Sequence, residues 1–171
     1  MQDSELPETV EGAEGKDVPQ KRVEIQKVYI KDVSYEAPGT PQVFTAEWAP
    51  QVSQEMANSH TQLGDVIYEV CLRATITVKI GNKVAYLVEI NQAGIFNLIG
   101  YEPKEIEHII AVHCPTVLFP FVREAAADMS TRAGFPQLML QFVDFAGVYH
   151  QYLQQKTAEA QAELDSGAPS H

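Results

Sequence analysis

The chain has 171 residues, 45% of them hydrophobic, and a formal net charge of -11. That is enough apolar material for one domain with a real core. The negative charge argues against nucleic acid, whose phosphates are bound through Lys and Arg, and against anionic membrane surfaces; it suits a basic protein partner, and equally plain solubility.

The opening "MQDSELPETVEGAEGKDVPQ" is acidic and lacks the basic and apolar regions of a signal peptide. Residues 1–21 are expected to form a disordered acidic tail, and 157–171, "TAEAQAELDSGAPSH", a second one. The ordered domain is expected over 22–156. No uninterrupted apolar run is read as long enough to span a bilayer, since "HIIAVHCPTVLFPFV" is broken by prolines and histidines. With two cysteines only, Cys71 and Cys114, the expectation is a cytoplasmic protein with reduced thiols.

Four strands come first. Residues 22–35 are rich in Val, Ile and Tyr. Residues 36–50 carry three prolines and one glycine and read as a loop, although Phe44 and Trp48 sit in it. Residues 51–60 form a weaker strand. Over 66–80, Val66, Tyr68, Val70, Leu72, Ala74, Ile76, Val78 and Ile80 alternate with a mostly polar set, the pattern of a half-buried antiparallel strand. Gly81 and Asn82 signal a hairpin into a strand over 83–97. A plain two-residue loop would set Glu89 beside Ala74 on the apolar face, so a bulge or an odd loop is expected.

Helices follow. Residues 103–113 begin with Pro and acids. Pro120 argues for a break, with a new helix starting around 116–120 and stopping at "AGFP" near Ala133. That helix is apolar nearly all round, so a second subunit is the simplest cover for its far side. The last helix starts at Asp144, with Phe145, Val148, Tyr149 and Tyr152 on one stripe. Strands followed by helices make this an α+β chain, a four-stranded antiparallel sheet with helices on one face.

Three chemistries compete. Asp32 and Glu36 in "KDVSYEAP" share a strand face but lie about 13 Å apart at roughly 3.3 Å per residue, beyond the roughly 5–9.5 Å of hydrolytic carboxylate pairs. His108, His113 and Cys114 cluster, which admits a small metal-binding enzyme, but no HExxH or CxxC is present. Cys114 before a helix admits an activated thiol, without a recognisable orienting partner. Surface recognition is the third: Phe44 and Trp48 with Phe145, Tyr149, Tyr152 and Leu153 suit an apolar groove, or else a core.

The segments "YIKDVSYEAP", "YLVEINQAGIF", "CPTVLFPFVRE", "GFPQLML" and "QYLQQK" occur in the order and spacing of one family. Over about residues 22–156 the chain resembles SecB, the bacterial protein-export chaperones. The resemblance implies a homotetramer, a dimer of dimers, that holds unfolded precursor proteins without ATP or any cofactor and delivers them to the motor ATPase SecA. It implies no enzymatic activity and no metal of its own; the zinc sits in SecA's basic tail. It places Asp32, Glu36, Leu87 and Glu89 at the SecA contact. It puts Phe44, Trp48, Tyr149 and Leu153 in the client groove, and Val88, Ile90 and Gln92 in the segment tied to assembly. Val148 and Tyr149 stand where the family often has Phe or Leu, and the acidic N-terminal extension is long for the family. A related chaperone dedicated to one partner, such as an antitoxin, shares the fold.

Overall fold

The computed structural model describes residues 20–166, with side-chain surroundings through 162. Nearly all of the expected acidic tail over 1–21, and residues 167–171, lie outside the described residues.

Four strands form one antiparallel sheet: β1 (Arg22–Glu36), β2 (Pro50–Gln62), β3 (Ile67–Ile80) and β4 (Lys83–Ile99), in the order β1-β4-β3-β2. Period-two patterning in β3 and β4 becomes two faces. Val70, Leu72, Ala74, Ile76 and Val78 of β3, with Val88 and Ile90 of β4, are fully covered, whereas Glu69, Cys71, Leu87 and Glu89 on the other face are partly open. The hairpin keeps its two-residue loop, with Gly81 at φ 58°, where a side chain would be strained. Its register then shifts: Lys79 faces Val84 but Val78 faces Tyr86, leaving Ala85 as the extra residue. The bulge restores parity, so Glu89 lies opposite Thr75 and Ile90 opposite Ala74.

A helical run covers one face of the sheet. Helix α1 (Pro103–His108) passes through a π turn (Ile109–His113) into α2 (Cys114–Arg132) without a break. The expected interruption at the prolines is corrected here. The Cys114 N–H donates to the Ile109 carbonyl, and Pro115 has no N–H to offer. The Ile110 carbonyl therefore accepts from outside the helix, from the Asn58 side-chain amide at 2.8 Å. Pro120 also sits inside α2, exposed, above an exposed Thr116 whose carbonyl water can satisfy. The combined run Pro103–Arg132 is long and apolar enough by composition to cross a membrane, which overturns the expectation of no such segment. Its apolar side is occupied within the domain: Cys114, Leu118, Phe119, Val122, Ala125 and Ala126 pack into the sheet's core.

α2 ends in a Schellman motif. Gly134, at φ 83°, donates to the Thr131 carbonyl, and the Phe135 N–H to Ser130. The extended segment after it runs back along α2, burying Phe135, Leu138 and Leu140. It is pinned where the Leu138 N–H donates to Ser130 Oγ at 2.9 Å and Arg123 Nε to the Leu140 carbonyl at 3.0 Å. Much of the all-round apolar surface of α2 is thus covered by its own chain, so it does not by itself require a second subunit. α3 (Phe145–Ser166) starts at Asp144, whose Oδ1 accepts from the Gly147 N–H at 3.0 Å. It continues past Thr157, where a tail was expected, because Ala, Glu and Gln are strong helix formers.

Candidate functional site

The helix layer stops short of the outer strand, β2, and leaves a groove of about 860 Å³. Its floor is Gln54, Met56, Asn58 and His60 of β2 with Leu72 of β3. One wall is Glu107, Ile110 and Ala111, and the other is α3 with Phe142 and Val143. Phe145, Val148, Tyr149, Tyr152, Leu153 and Lys156 line it at the i, i+3, i+4 helical spacing. Phe145 is the buried end of that stripe, with its ring edge-on to Phe119. Farther along, Val148, Tyr152 and Leu153 are exposed apolar surface. Tyr149 stands between the His108 ring, edge-on at 5.6 Å, and Tyr152 at 6.4 Å. An apolar trough rimmed by few charges suits an extended apolar segment rather than a small polar ligand.

Phe44 and Trp48 lie elsewhere. Both pack against Phe135 as tilted rings, at 4.9 and 5.5 Å, and Phe135 packs in turn, also tilted, against Tyr86 at 4.7 Å. The structure thus brings four of the six sequence-predicted groove residues together and sets the two loop aromatics in a second cluster. Phe44 is 51% and Trp48 36% exposed, so this cluster too presents apolar surface. Sequence reasoning missed Phe142, 83% exposed beneath the Arg123 guanidinium, and Met139, 62% exposed. The signal was there in "QLMLQF": Leu138 and Leu140 alternate inward against Gln137, Met139 and Gln141 outward, the mark of an extended covering segment.

The open face of the sheet gathers the other predicted set. Glu36 faces Leu87, Ser34 faces Glu89 and Asp32 faces Asn91 across β1 and β4. A bulge at Lys31 puts Asp32 on this face together with Tyr29. Asp32, Glu36, Leu87 and Glu89 therefore share one surface. Among the described residues no ion pair engages Asp32 or Glu36, whereas Glu89 lies 3.8 Å from Arg73. Farther along, Glu69 accepts from Tyr29 and from Lys31, whose nearest contact is 2.8 Å. The Lys31 and then the Tyr29 hydrogen bonds hold the Glu69 carboxyl below its ordinary range.

Two expectations change. Val88, Ile90 and Gln92 are even positions of β4 and face the helix layer; all three are buried in the subunit's own core, with Gln92 donating to the Tyr29 carbonyl at 2.9 Å. They offer no surface to a second subunit. Cys114 is fully buried and burial pushes its thiol up to about 12, the opposite of an activated nucleophile. His108 and His113 are exposed, and no group of three potential metal ligands occurs among the described residues.

Fold and surface together define an α+β binding protein that displays an apolar groove and an exposed aromatic cluster, with an acidic patch on the open face of its sheet. The family model for preprotein translocase subunit SecB matches residues 16–156. Curated relatives named protein-export protein SecB are 40% identical: one from Marinobacter nauticus over 92% of this chain and 96% of its own, one from Halorhodospira halophila over 88% and 87%. The chain belongs to the SecB family of protein-export chaperones. Its fold also matches a Mycobacterium tuberculosis SecB-like chaperone, Rv1957, solved with a peptide of the HigA1 antitoxin. The TM-score is 0.57 at 15% identity, covering 71% of this chain and 91% of that one.

Proposed function

We propose that this chain is a cytoplasmic, ATP-independent holdase that binds unfolded precursor proteins and delivers them to the SecA motor as a homotetramer. The observation that carries the reading is the groove beside β2, with exposed Val148, Tyr152 and Leu153 along one wall and Phe142 at its mouth. Apolar side chains left open in this way suit many unfolded sequences and no single folded one. The Phe44–Trp48–Phe135 cluster supplies a second apolar patch to the same clients. Holding works by mass action on the unfolded state, without catalysis or cofactor.

The acidic face is the proposed SecA contact. Asp32 and Glu36 supply charge that no ion pair engages among the described residues, Glu89 a charge shared with Arg73, and Leu87 an apolar centre. A basic tail fits it by electrostatic complementarity. Any influence of Val88, Ile90 and Gln92 on assembly is indirect, through the core that shapes the sheet. Dedication to a single partner such as an antitoxin has less support. The antitoxin-peptide complex is a likeness of fold alone, while the 40% relatives carry the export name.

The test is refolding of a slow-folding secretory precursor with stoichiometric protein and no nucleotide. Arrested refolding is expected. Unchanged refolding curves at excess protein would reject the holdase reading.

A further inference from the structure

The apolar phase of β1 changes once on the way to its acidic end. Val28 packs against the core from an even position, Val33 and Tyr35 from odd ones. One extra residue must therefore lie between them. Ile30, opposite Gln92, still keeps the even phase, and Val33, opposite Ile90, the odd one. The core thus narrows the extra residue to Lys31 or Asp32 and does not choose between them. The choice matters for Asp32. With Lys31 extra, as observed, Asp32 faces Asn91 in the ladder of the open face. With Asp32 extra, Lys31 would take that place, and the carboxylate would leave the row of Glu36, Leu87 and Glu89.

The observed choice is held from both faces of the sheet. On the open face Lys31 Nζ donates to both Glu69 carboxylate oxygens, at 2.8 and 3.0 Å, and Tyr29 Oη donates to one of them. Glu69 stands on β3, so both side chains reach it across β4. They cross beside Ala93, which alone among Leu87, Glu89, Asn91, Ala93, Ile95 and Asn97 is buried. The Glu69 side chain is 16% exposed, so the pair is less screened than one in open solvent. On the helix side the buried Gln92 amide donates to the Tyr29 carbonyl at 2.9 Å, fixing the backbone two residues before the bulge.

We propose that Lys31 and Glu69 are positioning residues for the SecA contact: their ion pair fixes the extra residue at Lys31 and so keeps the Asp32 carboxylate in the acidic row. This role rests on the SecA reading of the open face and adds what sets its geometry. It also accounts for a cation beside an acidic docking patch. Lys31 opposes a basic partner by its charge and assists it by holding Asp32. Glu36 lies beyond the bulge and is placed by Val33 and Tyr35 in the core, so the ion pair acts on Asp32 alone.

Charge and position predict opposite signs. Removing a cation makes an acidic surface more attractive to a basic ligand, whereas losing the ion pair frees Asp32 to leave the row. The probe is SecA's basic tail as a zinc-loaded fluorescent peptide, titrated against the full chain. Lys27→Met removes a cation from the same face, two residues before Tyr29. It calibrates charge, and should tighten binding by up to about twofold. Lys31→Met should instead weaken binding about three- to tenfold, with client holding unchanged. In an Asp32→Asn background Lys31→Met should cause no further loss, and in a Glu36→Gln background its loss should persist. Lys31→Glu combined with Glu69→Lys keeps the net charge and should regain most of the affinity. Amide exchange over residues 28–34 should quicken in Lys31→Met and slow again in the exchanged pair. Tighter binding by Lys31→Met, matching Lys27→Met, overturns the positioning role and leaves the acidic face as the contact. An equal loss in the Asp32→Asn background overturns it too. A parent chain that does not bind the peptide overturns the contact itself, and the positioning role with it.

Discussion

The two faces of the sheet come from the same alternating strands and could hardly differ more in use. On the helix side of β3 and β4, Leu72, Ile76 and Ile90 have no exposure and are committed to the core. On the open side Asp32, Glu36, Leu87 and Glu89 stay within reach of water and of partners. The groove arises between these extremes, where the helix layer ends before the sheet does. Stability and recognition are therefore separated by strand parity, and single substitutions can address one without the other.

The largest effect belongs to the closed face. Ile90→Ala should cost about 3–4 kcal/mol, since a fully buried branched side chain leaves a cavity the tight sheet cannot close. Urea unfolding measures it; a loss under about 1 kcal/mol would mean that the core is not packed as described. Assembly should fall only in step with stability. A variant that unfolds normally yet loses its oligomeric state would restore Ile90 as a contact residue.

The groove comes next. Tyr152→Ala and Leu153→Ala remove exposed side chains, so stability should move by no more than about 0.5 kcal/mol. Affinity for an unfolded precursor should drop about 5–20-fold. Trp48→Ala, in the separate aromatic cluster, sharpens the comparison. Double variants of Trp48 and Leu153 should be nearly additive if the two patches act independently, and strong non-additivity would join them into one site.

On the open face, Glu36→Lys should weaken binding of a basic SecA tail several-fold, more at low salt, with client holding intact. Glu89→Lys should do the same with an added effect, because Arg73 loses its carboxylate and meets a like charge. Parallel loss of client and SecA binding in these variants would argue against separate surfaces.

What could be read from the residues follows the same division. The alternation in β3 and β4 was legible because each strand is half-buried, and parity demanded a bulge or an odd loop; it is a bulge that carries Glu89 to the open face. The break at Pro120 was misread because a proline signal is local. The structure answers it with an exposed Thr116 carbonyl and, one turn earlier, with Asn58 donated from a distant strand. Residues 136–143 have no helical period, and the strand-like alternation of Leu138 and Leu140 that marks them as an extended cover does not say which helix they cover. Phe44 and Trp48 were rightly picked out as loop aromatics. Which aromatics they meet depends on where Phe135 lands after the Schellman turn, and no local pattern carries that.

The smallest effect separates the faces by pH. Glu69 on the open face has a lowered carboxyl, so its contribution is present above the unfolded value near 4.5 and fades as pH falls through the folded one. Tyr29, pushed up to about 12 chiefly by its hydrogen bond to Glu69, contributes below the unfolded value of 10.0 and fades as pH rises toward 12. Tyr86 on the closed face is also pushed up to about 12, but by burial. Glu69→Gln should therefore flatten the acid limb of the urea midpoint against pH and part of the alkaline limb. Tyr86→Phe should flatten the alkaline limb alone. Because Lys31 is largely exposed, the acid change should be modest and shrink further in salt. An acid limb identical in Glu69→Gln and the parent would show that the Tyr29–Glu69–Lys31 group contributes nothing to folding, leaving the open face to recognition alone.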